Sequence, residues 1–211
     1  MQPAERAPIL PYCRVPIVVR DANAEAPAVA REVAELIAAK RPGAVAEHIG
    51  SSAVPGLAGK GTIDLLLPTP PVEIPAVTDD LLALGFQRQA VPTAFPPTRP
   101  MLQGIIRHGD TSFRVHVHVV PATSHEVAAL RGFRDALLAD PALRQQYEQL
   151  KRLIVGAGTV DSVAFSKAKH AWIVATLERL GLAEAAEEVK SGGASLVPTR
   201  MPRRGVRGPQ A

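Results

Sequence analysis

The chain has 211 residues, a hydrophobic fraction of 46% and only 4% aromatics, which suits one domain with a core built from Ala, Val and Leu. Its formal charge of +4 resides in Arg200, Arg203, Arg204 and Arg207 of an acid-free C-terminal stretch, so the rest of the chain is balanced and offers no argument for a nucleic-acid partner. The single Cys13 excludes an intrachain disulfide and a CxxC metal site, and the lack of a long apolar run speaks against a membrane span and for a cytoplasmic location.

In chain order, residues 1–13, with Pro3, Pro8 and Pro11, read as an irregular lead-in to one domain over 14–190. Val15 to Val19 predicts a short strand. Val29, Val33, Leu36 and Ile37 share one face of a helix over 25–40 that Pro42-Gly43 ends. Strands are expected near 45–49 and 62–67, on either side of a loop rich in Gly, Ser and Pro, and a short helix over 75–84 closes at Gly85. The four prolines of 90–100 predict an ordered loop or lid. Met101–Arg107 and Thr111–Val120 alternate around Gly109-Asp110, which predicts a β-hairpin. Helices follow on Val127, Leu130, Phe133 (or Arg134) and Leu137, then from Asp140-Pro141 with the stripe Leu143, Tyr147, Leu150 and Ile154, then from Asp161 to about Leu180. A short helix over 183–190 precedes a basic tail, 191–211, expected to be disordered. A mixed sheet built early with helices gathered at the end gives the class α+β.

Three constellations carry chemistry. In the strand Thr62–Leu67, period two places Thr62, Asp64 and Leu66 on one face. A lone acid in an apolar strand is costly to bury unless it is paired or holds a cation; the plain alternative is an Asp that caps a turn. The preceding Gly50-Ser51-Ser52 corner, with Lys60, can present backbone N–H groups and a cation to a phosphate. Gly56 to Thr62 is not a P-loop, because the Gly-x4-Gly-Lys spacing fails and a strand follows. In Phe113–Val119, Arg114, His116 and His118 form a polar row with imidazoles about 7 Å apart, able to bind phosphate, move a proton or ligate a metal, or else simply to face solvent. In the helix after Asp161, Lys169 falls inside the apolar stripe of Phe165, Trp172 and Ile173, where it either snorkels or reaches an anion; Lys167 points away.

These pieces resemble the GrpB family, a branch of the polymerase-β-like nucleotidyltransferase superfamily. The resemblance rests on Glu47 through Leu65, on His116-Val117-His118-Val119, on Phe133-Arg134-Asp135 with Leu137, Pro141, Leu143, Tyr147, Leu150 and Lys151, and on Asp161, Lys169, Trp172 and Ile173, with Phe165 where Tyr is usual. It implies a mixed sheet of the nucleotidyltransferase type and an enzyme that seats a nucleotide or other phosphorylated small molecule on Gly50, Ser51, Ser52 and Lys60. Arg114 and Lys169 would neutralise phosphate charge. Asp64, with His116 or His118, would hold a divalent ion, Mg or Mn, or the histidines would serve as bases. Superfamily transferases use two acids at alternate strand positions and a third nearby; here Leu66 fills the second place and histidines the third. The rival reading is a degenerate module that holds a nucleotide or coenzyme-A-like ligand, as fusions of related domains to dephospho-coenzyme A kinases imply. A third is acid–base work by the two histidines on a substrate without phosphate.

Overall fold

In the computed structural model residues 7–90 and 95–194 are described; 195–211 of the expected tail and 91–94 of the proline-rich segment lie outside them. Apolar alternation builds the centre. In Thr62–Thr69 (β2) and Thr111–Pro121 (β5), Ile63, Leu65, Leu67, Val115, Val117 and Val119 are all buried on one face. Met101–His108 (β4) returns against β5 through the two-residue turn Gly109-Asp110. Glu47–Ile49 (β1) and Gln87–Arg88 (β3) are the edges. The order is β1-β2-β5-β4-β3, with β2 and β5 parallel and the other pairs antiparallel, so the sheet is mixed and the class is α+β.

Helices cover both faces. Ala26–Lys40 (α1) sets Val29, Val33 and Ile37 four residues apart on the apolar face, and Ile74–Ala83 (α2) adds Val77 and Leu81. Full burial of each such side chain contributes about 1.5–3 kcal/mol. His125–Ala139 (α3) lies on the opposite face, where Leu66 packs with Ile49, Val120 and Val127. Pro141–Gly156 (α4), Ser162–Arg179 (α5) and Ala183–Ala194 (α6) complete the helical side, and α6 runs past the expected end at residue 190. Asp140 accepts from the amides of Ala142 and Leu143, and Asp161 from those of Val163 and Ala164, which is why these helices start where they do. No helix among the described residues is long and apolar enough to cross a membrane.

Val15–Val19 corrects an expectation: it is not a strand. Pro16 supplies no N–H, and Val15 and Val18 are exposed while only Ile17 is buried, so the run has no apolar face to pair. The segment is instead a strap. Leu10 bridges to Ile105, the Ile17 amide donates to the Val160 carbonyl, and Arg20 bridges to Gly59. Ile9, from the lead-in, is buried over Gly104, where an added Cβ would lie 2.2 Å from its Cγ2. Only glycine lets the strap lie that close.

Candidate functional site

The parallel register of β2 and β5 pairs Asp64 with His116 and Leu66 with His118. Asp64 Oδ1 is 3.2 Å from His116 Nδ1, 3.7 Å from His118 Nε2 and 3.9 Å from Lys60 Nζ. The imidazole centroids are 6.5 Å apart, and His116 Nε2 is 3.2 Å from the Tyr12 hydroxyl. A carboxylate only accepts, so His116 is assigned the tautomer that donates Nδ1–H to Asp64 and accepts from Tyr12 at Nε2. Burial works to raise the Asp64 pKa, but the Lys60 charge and the two imidazoles outweigh it and hold the carboxyl well below its ordinary value. Burial, then the Lys60 charge, pushes His116 down to about 4, so its ring is neutral at neutral pH.

The Gly50 corner lies against this cluster. Gly50 has φ +71° and ψ −167°, and a Cβ there would sit 3.1 Å from Asp64 Oδ2. Val54 and Leu57, each 1% exposed, plug the rest of the loop into a cluster with Leu137, Leu143 and Tyr147, so helical packing fixes the corner. Gly50→Ala is expected to cost about 1–3 kcal/mol, since that backbone region is essentially glycine's alone; an unchanged urea midpoint would show the corner to be unconstrained.

Lys151, 1% exposed, donates to Ser51 Oγ at 3.1 Å and to the Ala58 carbonyl, and its Nζ lies 4.6 Å from the centre of the Tyr147 ring. Burial, then the Lys169 charge, brings its pKa down to about 7. Lys169 donates to the Tyr147 hydroxyl at 3.4 Å and lies 4.5 Å from the centre of the Phe165 ring; burial lowers it to about 8 against the pull of Asp64. Ser52 Oγ is 2.9 Å from His48 Nε2. Arg114 points to the other flank, donating to the Lys60 carbonyl at 2.8 Å. The ring of Phe95 meets His118 edge-on at 6.0 Å, and Arg99, paired with Glu126, covers Phe95.

The expected residues thus sort around Asp64. His116, His118 and Lys60 share its centre; Gly50, Ser51, Ser52 and Lys169 form one flank, and Arg114 the other. Leu66 shares the face of Asp64, yet at 0% exposure it is sealed in an apolar cluster beneath α3. Sequence reading missed Tyr12, Tyr147 and Lys151. Lys151 follows Leu143 and Tyr147 at intervals of four, so the stripe reasoning applied to Lys169 also selects it. Tyr12 left no such signal in its irregular surroundings.

One oxygen of Asp64 and one nitrogen each of His116 and His118 lie within 4.8 Å of one another, a spacing that one metal ion can bridge. Two imidazoles and one carboxylate suit zinc or manganese better than magnesium, which prefers oxygen ligands throughout.

A five-stranded mixed sheet flanked by helices, with an acid and two histidines meeting on adjacent parallel strands, defines an α+β protein with its candidate site at the centre of the sheet. The model of the family described as GrpB protein matches residues 16–179, and the chain belongs to that family. A UPF0157 protein of Pseudomonas aeruginosa is 31% identical over 161 residues, 72% of this chain and 61% of the relative, so the chain spans less than two thirds of that relative's length. The crystal structure of the conserved protein GrpB from Enterococcus faecalis has the same fold, with a TM-score of 0.60 and 21% identity over 81% of this chain and 98% of its own. The Cid1 poly(U) polymerase is more distant, at a TM-score of 0.37 and 14% identity over 57% of this chain and 40% of its own, a likeness that carries no functional argument.

Proposed function

We propose that the chain is a nucleotidyltransferase-like enzyme acting on a nucleotide or another phosphorylated small molecule. The observation that carries this reading is the meeting of Asp64 with His116 and His118 against the Gly50–Ser51 corner. Phosphates sit over Gly50, Ser51 and Ser52, with Lys60 and Lys169 as the neutralising cations; Arg114 serves the far flank. Lys151 is too deeply buried to touch a ligand, and it positions Ser51 instead. Asp64, His116 and His118 would hold one divalent ion, manganese or zinc, which would supply Lewis-acid stabilisation of phosphate charge.

Leu66 favours the second reading, a module that binds without turnover, because its sealed position leaves the metal-binding face one carboxylate short. Calorimetry with ATP and UTP, with and without Mn²⁺, paired with a pyrophosphate-release assay, separates the two. Manganese-dependent release supports the enzyme. Tight, metal-independent binding without release supports the module, and no binding of either nucleotide sinks both.

Binding is also expected to take up protons between about pH 7 and 8.5. Lys151 and Lys169 sit near 7 and 8 in the free protein, and an arriving phosphate would pull both upward. Calorimetry in buffers of differing ionisation enthalpy reads this directly, and binding enthalpies independent of buffer would count against phosphate in this flank.

A further inference from the structure

The strap lines a cleft of about 290 Å³ to which Lys60 and His116, both neighbours of Asp64, contribute and to which Gly50, Ser51 and Ser52 do not. That volume is at the low end for small-molecule sites. Its polar wall includes Tyr12, Arg14, Lys60, Arg114, His116 and Asp161, and its apolar wall is built on Val15, Ile17 and Val160. Tyr12, Arg14, Val15 and Ile17 bring the strap to this wall. Arg14, Lys60 and Arg114 face the cleft against one lining carboxylate, Asp161, which caps α5 and interacts electrostatically with Arg14, while Lys60 lies 3.9 Å from Asp64. Neither Arg14 nor Arg114 forms an ion pair within 4 Å among the described residues; Arg114 is held by a backbone carbonyl and not by a carboxylate. A cleft with this surplus of positive charge and an apolar wall fits a small organic molecule that carries a phosphate monoester, a group with a charge of about −1.5 to −2 at pH 7.

We propose that this cleft is the acceptor site of the reaction and that the acceptor is a phosphate monoester, an assignment that rests on the nucleotidyltransferase reading above. In that reaction an acceptor phosphate oxygen forms a bond to the α-phosphorus of the nucleoside triphosphate. The bond from the α-phosphorus to the α–β bridging oxygen breaks, and pyrophosphate leaves with the electron pair. An anionic phosphate oxygen has no proton to surrender, so the step needs no carboxylate base. That matches a site whose one central acid, Asp64, is committed to His116, His118 and Lys60. Arg14 and Arg114 orient the acceptor, and Lys60 and His116, which line the cleft and contact Asp64, bring it beside the Asp64 cluster.

The test is calorimetry on the full chain with phenyl phosphate as probe and benzoate as the carboxylate arm, with no nucleotide or metal present. Phenyl phosphate is expected to bind, and Arg14→Ala to weaken it at least threefold. Arg14 is exposed on the strap, so this variant does not threaten the core. Ser51→Ala, on the nucleotide flank, is expected to change the affinity less than threefold. The proposal is overturned if phenyl phosphate does not bind, if benzoate binds as well, if Arg14→Ala changes affinity less than threefold, or if Ser51→Ala removes binding and so places the anion on the other flank. Failure of the nucleotide reading is distinguishable: ATP and UTP would then fail to bind while the phenyl phosphate results stood.

Discussion

Asp64→Asn is expected to lower manganese-dependent pyrophosphate release at least about 100-fold while the protein stays folded. The substitution is isosteric, so the apolar face of β2 and its pairing with β5 are preserved. What changes is the charge. Lys60 loses the carboxylate 3.9 Å away, both imidazoles lose their common acceptor, and the candidate metal set loses its one oxygen. An amide oxygen is a weak substitute for a carboxylate on a divalent ion. Bound Mn²⁺, followed by electron paramagnetic resonance, should fall in parallel with turnover, and circular dichroism checks the fold. Release within threefold of the unmodified protein would remove Asp64 from the chemistry.

Much of this arrangement was legible from local pattern. Period two in Ile63–Leu67 and in Phe113–Val119 fixed which side chains share a face, and Asp140-Pro141 and Asp161 announced their helices through hydrogen bonds that only those side chains make. What local pattern does not carry is the pairing of β2 with β5, two strands some fifty residues apart. A slip of one residue would have sent His116 to the apolar side. The meeting of Asp64 with two imidazoles therefore depends on a long-range register that the apolar faces of both strands enforce together, each needing its valines or leucines beneath α1 and α2. The strap was misread for a related reason. Val15–Val19 has strand-forming residues, but Pro16 and two outward-facing valines leave it nothing to pair with, and its attachment through Ile9 needs a glycine almost a hundred residues away. Leu66 shows the limit from the other direction: sequence locates the missing acid, and only the packing of α3 shows that no carboxylate would be tolerated there without a large penalty.

The second large effect concerns Lys151, whose depressed pKa makes stability depend on pH. In the unfolded chain this lysine keeps its proton up to about its ordinary value of 10.5, whereas in the folded protein it keeps it only up to about 7. Between those limits the unfolded state binds more protons, so folding stability rises with pH there, at up to about 1.4 kcal/mol per pH unit from this group alone. Below pH 7 the cost of confining the ammonium is fully present, on the order of 5 kcal/mol. Lys151→Met removes the titrating group at similar length, so the rise between pH 7 and 10 should flatten. Lys169, lowered to about 8, leaves a residual slope. The absolute stability of the variant carries a separate loss, because the Ala58 carbonyl and Ser51 Oγ lose their donor. The slope is therefore the diagnostic quantity, read from urea unfolding at pH 6, 7, 8, 9 and 10. Identical slopes in the two proteins would mean that Lys151 keeps its proton in the folded state through that range. Its ammonium would then be a fixed charge behind Ser51, and the proton uptake that accompanies nucleotide binding would fall to Lys169 alone.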